Sequence, residues 1–249
     1  MTRNSTPIVT GRSGRSQVRY QKVLHEDDPR FDPAFDLYEK AFHADERVSR
    51  AGFLNLLRRK RLGALSPSNA HLIVALKDDV VVGMGSGRYI ASVNIGYIAY
   101  LVVDPDHGHQ RIGPGIRNHL ITAFRHDSEL NGQPRLDAVV GEVREDNRWL
   151  KILSGRGQVM VLDVVYEQPR LSPEQSRVSL VLYYQPLYPM PDSLPVPYVI
   201  KVVRALYREI YGMDNPEERP VFRDFLRRLK GRDVVRHRPL RSPKPARDA

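Results

Sequence analysis

An apolar segment that ends in Asp-Pro and runs into a glycine-rich turn constrains this chain most strongly. Residues 101–105 read Leu-Val-Val-Asp-Pro, residues 110–115 read Gln-Arg-Ile-Gly-Pro-Gly, and an amphipathic segment follows over 116–124. This order predicts a strand, a short loop and a helix whose first N–H groups have no intrahelical partner. Free N–H groups and the helix dipole favour an anion, and glycines let the backbone approach it. The segment therefore predicts a binding site for a diphosphate.

The spacing of this turn lacks the Gly-Lys-Ser/Thr ending of nucleotide triphosphatase loops. The strand over 94–105, followed by Gln110-x-x-Gly113-x-Gly115, resembles the fourth strand and pyrophosphate loop of the Gcn5-related N-acetyltransferases, the GNAT family. The resemblance covers roughly residues 17–188. It implies an α/β fold with a mixed sheet whose central strands splay apart, and acetyl-CoA as the co-substrate. It also implies that the following residues bind this cofactor: Leu101, Val102, Val103, Gln110, Arg111, Ile112, Gly113, Gly115 and Asn147.

Composition argues against several other classes of protein. The chain has 249 residues, of which 41% are hydrophobic, and it has no cysteine, so disulfides and a cysteine nucleophile are excluded. No apolar run approaches the roughly 20 residues that span a bilayer, and the first residues lack an apolar signal core. We therefore expect a cytoplasmic protein without a membrane contact.

The net charge of +10 fits an anionic cofactor together with basic, solvated ends. We expect a disordered leader at 1–16 and a disordered basic tail at 232–249. RNA or the ribosome is the alternative partner for this charge. No nucleic-acid-binding motif accompanies the basic residues, so binding to nucleic acid is not favoured.

The apolar pattern predicts strands and helices in an order that suits a mixed sheet with helices on both faces. Gly83-x-Gly85-x-Gly87 lies in the third strand, and since no helix pattern follows it, we interpret it as a hairpin strand and not as a dinucleotide loop. The predicted strands cover 17–26, 71–76, 80–92, 93–103, 136–143, 159–166 and 178–184. The first predicted helix begins at Asp32-Pro33 and carries its apolar stripe as far as Phe42. Further helices are predicted over 46–61 and 113–126, and a short helix capped by Asp146 or Asn147 ends at Leu153.

The C-terminal part lies beyond the resemblance. Five prolines between 186 and 197 predict a stiff connector, and apolar residues at helical spacing predict helices over 199–211 and 221–229. Connector and helices together form an expected extension over 189–231. We expect this extension to pack on the core. A homodimer contact and a cover over the substrate site are the alternatives.

Acetyl transfer to an amine needs a neutral nucleophile, so a general base is expected. Glu142, in the segment Gly-Glu-Val-Arg-Glu-Asp-Asn over 141–147, resembles the base of the Glu-Val-Arg-x-x-Asn segment in peptide N-terminal acetyltransferases. The alternative is a solvent-facing carboxylate paired with Arg144 or a lysine. Many family members carry a glutamate on the fourth strand at the position of Ala99. Since alanine has no carboxylate, the base is not expected at this position.

A proton donor for the departing thiolate is harder to assign. The tyrosine that the family carries seven residues past the asparagine is Ser154 here, and serine is a weaker acid. Ser154 and Tyr100 are therefore candidate catalytic residues. Strand alternation places Tyr100 on the face opposite Tyr97, so the two tyrosines are not both expected to line the acceptor site. The alternative proton donors are Tyr166, Tyr183 and Tyr184.

Two further features bear on ligands. Pro114 removes one N–H donor from the predicted first turn, and Arg111 would recover affinity by pairing with a phosphate. His107-x-His109 lacks carboxylate or cysteine partners at supporting spacing, so no metal is expected. The basic residues of the second helix either favour an acidic acceptor or form a solvated face: Arg50, Arg58, Arg59 and Lys60.

The resemblance thus implies an acetyl-CoA-dependent N-acetyltransferase that acts on a primary amine of a small molecule or peptide. A non-catalytic protein that senses acyl-CoA with the same fold is one alternative, supported by Ala99, Ser154 and Pro114. A ribosome- or RNA-associated protein that uses the basic ends is the other.

Overall fold

The computed structural model describes residues 17–108, 110–171 and 177–240. The strands within these ranges are β1 Arg19–Lys22, β2 Asn69–Lys77, β3 Val80–Ile90, β4 Ile95–Val103, β5 Ala138–Val143, β6 Met160–Val161, β7 Tyr166–Gln168, β8 Val178–Pro186, β9 Ser193–Pro195 and β10 Val234–Arg236. Eight of them form a central sheet of order β1-β2-β3-β4-β5-β8-β6, in which β7 also pairs with β8, and β9 and β10 form a second sheet. Because β4 and β5 are parallel and their neighbours antiparallel, the predicted mixed α/β fold is confirmed.

Six α-helices lie in the described ranges, and none of the helices there is long and apolar enough to cross a membrane. A short 3₁₀ turn, Ala44–Glu46, lies between the first two helices, and a π-helical turn, Leu206–Ile210, continues the fifth. The helices are α1 Phe31–Ala41, α2 Arg50–Arg61, α3 Ile112–Leu130, α4 Arg148–Gly155, α5 Val196–Ala205 and α6 Pro220–Leu229.

The helices cover both faces of the large sheet, and consecutive residues of β5 show the division. Val139 packs with α3, whereas Val140 packs with α5 and α6. Val143, on the same face as Val139, packs with α4. α1 and α2 cover the same face of the sheet as α5, but over β2 and β3, where Phe35 of α1 and Val74 of β2 belong to one buried cluster. This alternation follows from the two-residue period of a strand, and it separates an α3–α4 face from an α1–α2–α5 face.

A bulge and a gap interrupt the centre of the sheet. Ile98 and Tyr100 pair with consecutive residues of β3, so Ala99 has no partner on that strand. On the other side of β4, pairing with β5 ends at Ile98 and Gly141, although both strands continue. The two parallel strands therefore part at this point, as the resemblance implied.

The glycines of β3 allow α3 to lie close to the sheet. A Cβ at Gly85 would lie 2.4 Å from Ile116, and one at Gly87 would lie 2.6 Å from the Phe124 ring. The interpretation of this stretch as a hairpin strand is confirmed. Its glycines serve helix packing because larger side chains would push α3 away.

The first two helices begin at other residues than predicted. The N-cap of α1 is Arg30, which makes no side-chain capping hydrogen bond and lies two residues before the predicted cap Asp32. α2 begins four residues later than predicted, because the Ser49 side chain accepts a hydrogen bond of 3.2 Å from the N–H of Gly52. Apolar periodicity does not locate such caps.

The C-terminal segment is ordered as far as residue 240, so the expected disorder over 232–240 is wrong. β10 pairs with β9, and His237, directly after β10, pairs with Leu162. The carbonyl of Arg236 accepts the N–H of Asp163 at 3.0 Å. The strand predicted over 159–166 is present only as β6, and β7 begins at Tyr166. Residues 1–16 and 241–249 lie outside the described residues, and disorder there stays a prediction.

Candidate active site

A cleft of about 500 Å³ lies where β4 and β5 part. Gly108 and Gly113, from the loop after β4 and the first turn of α3, line one end of it. Phe42 and Glu46, from the connection between α1 and α2, line the other end. The cleft therefore connects the two faces of the sheet through the gap between the strands.

The first turn of α3 presents backbone donors to this cleft. The helix begins at Ile112, after Arg111 in a left-handed conformation with φ of 56°. The N–H of Gly115 donates to the Arg111 carbonyl at 3.3 Å, and Pro114 has no N–H. This leaves the N–H groups of Ile112 and Gly113 without a helical partner, and Gly113 lines the cleft. An anion is favoured at such a position.

One turn further along α3, a buried arginine lines the same cleft. Arg117 is 7% exposed, and its Nε and Nη2 atoms have no hydrogen-bond partner among the described residues. Burial lowers the pKa of this guanidinium. Since buried arginines are normally paired, free N–H groups beside a cleft indicate an anion site. Sequence analysis missed Arg117 because a single arginine in an amphipathic helix looks like a surface residue.

Glu142 is buried at the gap, with 6% of its surface exposed. Its Oε1 accepts hydrogen bonds from Tyr97 Oη at 2.7 Å and from Tyr211 Oη at 2.6 Å. Burial raises the pKa of this carboxyl, and the tyrosine hydrogen bonds oppose the rise. The alternative of a solvent-facing carboxylate paired with Arg144 is wrong, because Arg144 pairs with Glu46.

Tyr97 and Tyr100 both line the cleft, so the expectation that only one of them would do so is wrong. The bulge at Ala99 adds a residue to β4 and shifts the alternation of its side chains by one position. Tyr100 Oη donates to the backbone carbonyl of Glu46 at 2.6 Å. Its hydroxyl is therefore held by the connection between α1 and α2.

The candidate proton donors are placed very differently. Ser154 lies on α4 but is not among the residues that line the cleft, and neither are Tyr166 and Tyr184. Tyr183 does line it. A Cβ at Gly141 would lie 2.5 Å from Tyr183 Oη, so this hydroxyl lies against β5 at the gap. Burial raises the pKa of Tyr183, which keeps it protonated at neutral pH.

Several residues named for cofactor binding come together at the cleft. Leu101 and Val103 of β4 line it, as do Gly113 and Asn147. Asn147 also caps α4, because its Oδ1 accepts the N–H of Leu150 at 3.0 Å. The distribution places an apolar wall along β4 and polar groups at the helix ends.

Other residues named for cofactor binding do not line the cleft. Ile112 packs in the core beneath α3, and Val102 packs with α1 on the opposite face. A Cβ at Gly115 would lie 1.9 Å from the Tyr20 hydroxyl, so this glycine permits close packing on β1. Cofactor contacts remain predictions for all nine named residues. Five of the nine are not among the residues that line the cleft: Val102, Gln110, Arg111, Ile112 and Gly115.

Arg50, Arg58 and Arg59 are exposed, Lys60 is half-buried, and none of these four basic residues lines the cleft. Arg50 pairs with Asp32, and Arg58 pairs with Glu26. Lys60 donates to the carbonyl of Ala70. The suggestion of an acidic acceptor therefore loses its basis.

The residues that the structure describes contain no cluster of three or more His, Asp or Glu that could hold a metal ion. His107 lies 3.8 Å from Asp104. The other histidine of the pair, His109, lies outside the described residues. The α3 end of the cleft carries Arg117 and the free N–H groups of the first helical turn.

Comparisons with known proteins agree with this geometry. Residues 24–148, half of the chain, match the model of the acetyltransferase (GNAT) family. The chain belongs to the GNAT family of acetyltransferases. A comparison with curated protein sequences gave no match.

Solved GNAT structures share the fold at low sequence identity. A GNAT-family protein from Bacteroides thetaiotaomicron is 17% identical, with a TM-score of 0.57 over 79% of this chain and 99% of that one. An N-acetyltransferase from Staphylococcus aureus Mu50 is 11% identical, with a TM-score of 0.51 over 70% of this chain and all (100%) of the other. GNAT enzymes use acetyl-CoA as co-substrate, and a free helix N-terminus beside a buried, unpaired arginine suits its phosphates.

Proposed function

We propose that this GNAT protein transfers an acetyl group from acetyl-CoA to a primary amine of a small molecule or a peptide. The observation that carries the proposal is the buried carboxylate of Glu142 at the gap between β4 and β5. When bound, acetyl-CoA supplies an acetyl group activated as a thioester, and the products are the N-acetylated amine and the free thiol. The two faces of the sheet divide the binding of these reactants.

The α3–α4 face suits the cofactor. The N–H groups at the start of α3 and the guanidinium of Arg117 provide donors for phosphate oxygens. Leu101 and Val103 supply an apolar wall towards the gap. Beyond Ile98, the edge of β4 that faces β5 has no strand partner, so its N–H groups are available to a carbonyl oxygen.

The opposite face suits a cationic acceptor. Phe42, Tyr97 and Tyr100 bring aromatic rings to the cleft. Glu142 brings a carboxylate with no ion-pair partner among the described residues, whereas the carboxylate of Glu46 is paired with Arg144. Ammonium groups are attracted both to aromatic faces and to carboxylates. This composition favours an amine over the acidic acceptor that α2 had suggested.

Glu142 removes the proton that makes such an amine unreactive. A lysine-type ammonium with a pKa near 10.4 needs about 4.6 kcal/mol to lose its proton at pH 7, and an α-amine near 7.8 needs about 1 kcal/mol. Burial raises the pKa of Glu142 towards the working pH, where a base is most effective. Its Oε2 atom has no hydrogen-bond partner among the described residues and is the oxygen that accepts the proton.

Tyr183 takes the place of the family's tyrosine as the proton donor on the thiol side. It lies on the α3–α4 face, packed with Val143 and α4, whereas Glu142 faces the opposite side. Its raised pKa keeps a proton on Oη until the thiolate needs one. Base and acid thus approach the gap from opposite faces of the sheet, the base on the acceptor side and the acid on the thiol side.

Glu142→Gln tests the proposal. Release of coenzyme A thiol from acetyl-CoA with a panel of primary amines should slow by about 10²–10⁴-fold, the usual contribution of a general base, while calorimetry shows unchanged affinity for coenzyme A. The matched control is Glu129→Gln at the exposed end of α3, which should match the wild type. Wild-type protein that binds coenzyme A but releases no thiol with any amine would refute the enzyme and favour the acyl-CoA sensor.

A further inference from the structure

The C-terminal segment lies outside the family match at 24–148, yet it forms part of the active-site cleft. α5 and α6 pack on the sheet face that carries Glu142. Val203 and Phe222, from these helices, belong to the same buried cluster as Val140 and Tyr97 of the sheet. The extension therefore forms a wall next to the acceptor side of the cleft.

One side chain of this segment reaches the candidate base. α5 continues through the π-helical turn Leu206–Ile210, and the N–H of Tyr211 donates to the Leu206 carbonyl at 3.2 Å. Gly212, with φ of +65°, then turns the chain away. Tyr211 lines the cleft, and its Oη donates to Oε1 of Glu142 at 2.6 Å.

This contact determines which carboxylate oxygen is available. Tyr97 and Tyr211 both donate to Oε1, while Oε2 has no hydrogen-bond partner in the described part of the chain. Two donors from different elements, β4 and the segment after α5, fix the rotation of the carboxylate. Without Tyr211, Tyr97 would be the one remaining donor to Oε1. The carboxylate could then turn about its last torsion angle towards the nearby Tyr166 hydroxyl, which also lowers the pKa of Glu142.

The electrostatic surroundings of Glu142 consist of tyrosines. No cation within the described ranges lies within salt-bridge distance of it. The negative charge of Glu142 adds to burial in raising the pKa of five tyrosines: Tyr97 and Tyr100 of β4, Tyr166 of β7, and Tyr207 and Tyr211 of the C-terminal segment. Burial raises the pKa of Glu142, and the hydroxyls of Tyr211, Tyr97 and Tyr166 oppose this rise and so stabilise its charge. Tyr207 donates to the Glu167 carbonyl instead.

We propose that Tyr211 is a positioning residue of the active site: its hydroxyl holds Oε1 of Glu142 so that Oε2 is left to accept the proton. The proposal rests on the proposed function for its catalytic meaning. The hydrogen bond itself can be tested in the ligand-free protein. The C-terminal extension is accordingly a functional part of this acetyltransferase and completes the catalytic site from outside the family's common region.

Infrared titration of the full-length, ligand-free protein tests the contact directly. The carboxyl band that disappears in Glu142→Gln identifies Glu142. In Tyr211→Phe the midpoint of this band should move to higher pH by about one pH unit, because the ionised form loses a hydrogen bond. The matched control is Tyr207→Phe, which removes a buried hydroxyl of the same segment that donates to the Glu167 carbonyl at 2.7 Å. Its midpoint should stay at the wild-type value.

A second variant covers the case in which Tyr211→Phe does not fold. Fluorotyrosine at position 211 keeps the shape of the ring and makes the hydroxyl a stronger donor, so the midpoint should move to lower pH. An unmoved midpoint in both Tyr211 variants, or an equal shift in Tyr207→Phe, overturns the proposal. The acidic side of the pH profile of kcat/KM tests the proposed function separately. If Tyr211→Phe shifts the pH midpoint of the Glu142 carboxyl band but does not shift the acidic side of this profile, the contact is retained and Glu142 is not the base.

Discussion

Arg117→Met should make the ligand-free protein more stable and its binding of coenzyme A weaker. The substitution keeps most of the aliphatic stem of the side chain and removes a buried guanidinium whose Nε and Nη2 atoms have no partner within the described residues. A buried donor left without a partner costs about 1–3 kcal/mol. The free energy of unfolding should rise by a similar amount.

The same substitution removes the donors that we assign to a cofactor phosphate. A hydrogen bond to a charged group contributes about 1.5–3 kcal/mol, and each 1.4 kcal/mol is a tenfold change in affinity. The dissociation constant for coenzyme A should therefore rise by about 10- to 150-fold. Opposite signs for stability and affinity distinguish a binding residue from a residue that only fills space.

Urea denaturation of the ligand-free protein and calorimetry with coenzyme A measure the two effects. Arg59→Met is the matched control, because it makes the same chemical change at an exposed position on α2, away from the cleft. It should leave both quantities near the wild-type values. A destabilised Arg117→Met protein, or one that binds coenzyme A as tightly as the wild type, would refute the assignment.

Three further outcomes follow from the structure. Since burial raises the folded-state pKa of Glu142, the folded protein binds the proton more tightly than the unfolded chain does. The free energy of unfolding should therefore fall as pH rises from about 4.5 through that raised value. Glu142→Gln should lack this fall in denaturation measurements at matched pH, and a pH dependence identical to that of the wild type would contradict the prediction. Tyr183→Phe should slow thiol release while Ser154→Ala leaves it unchanged, because only the tyrosine lines the cleft; steady-state kinetics would show the reverse if the serine is the acid. Gly96→Ala should lower the unfolding free energy by about 1–3 kcal/mol, since its Cβ would lie 2.2 Å from the fully buried Phe124 ring, and a stability equal to wild type by denaturant titration would show that α3 can shift.

The position of the cleft beside the start of α3 could be predicted from the sequence, because local sequence patterns determine where that helix begins. An apolar strand that ends in Asp-Pro, a glycine-rich turn and an amphipathic helix must occur in that order to form such a helix N-terminus, and residues 101–124 have that order. Glu142 was identified through the resemblance of residues 141–147 to the Glu-Val-Arg-x-x-Asn segment of peptide N-terminal acetyltransferases. Its position near the end of the strand that runs parallel to β4 brings it to the same edge of the sheet. The helix N-terminus needs only chain order and the periods of strands and helices, whereas the base needs the resemblance as well.

The chemistry of the site was decided by the tertiary structure. The bulge at Ala99 reverses the alternation on which Tyr97 and Tyr100 were assigned, and a bulge depends on the pairing of two strands. Arg117 is unusual only because it is buried and unpaired, which no residue type reveals.

Tyr211 shows the same division over a longer distance. It lies 69 residues beyond Glu142 in the chain, in a segment that the sequence described only as an apolar helix. Periodicity reports which face of a helix is buried and does not report which group that face meets. A hydrogen bond between distant residues exists only when the packing of the whole sheet brings its two atoms within reach. The sequence by itself therefore determined the fold and the place of the cleft, and the assembled structure decided which side chains hold the base.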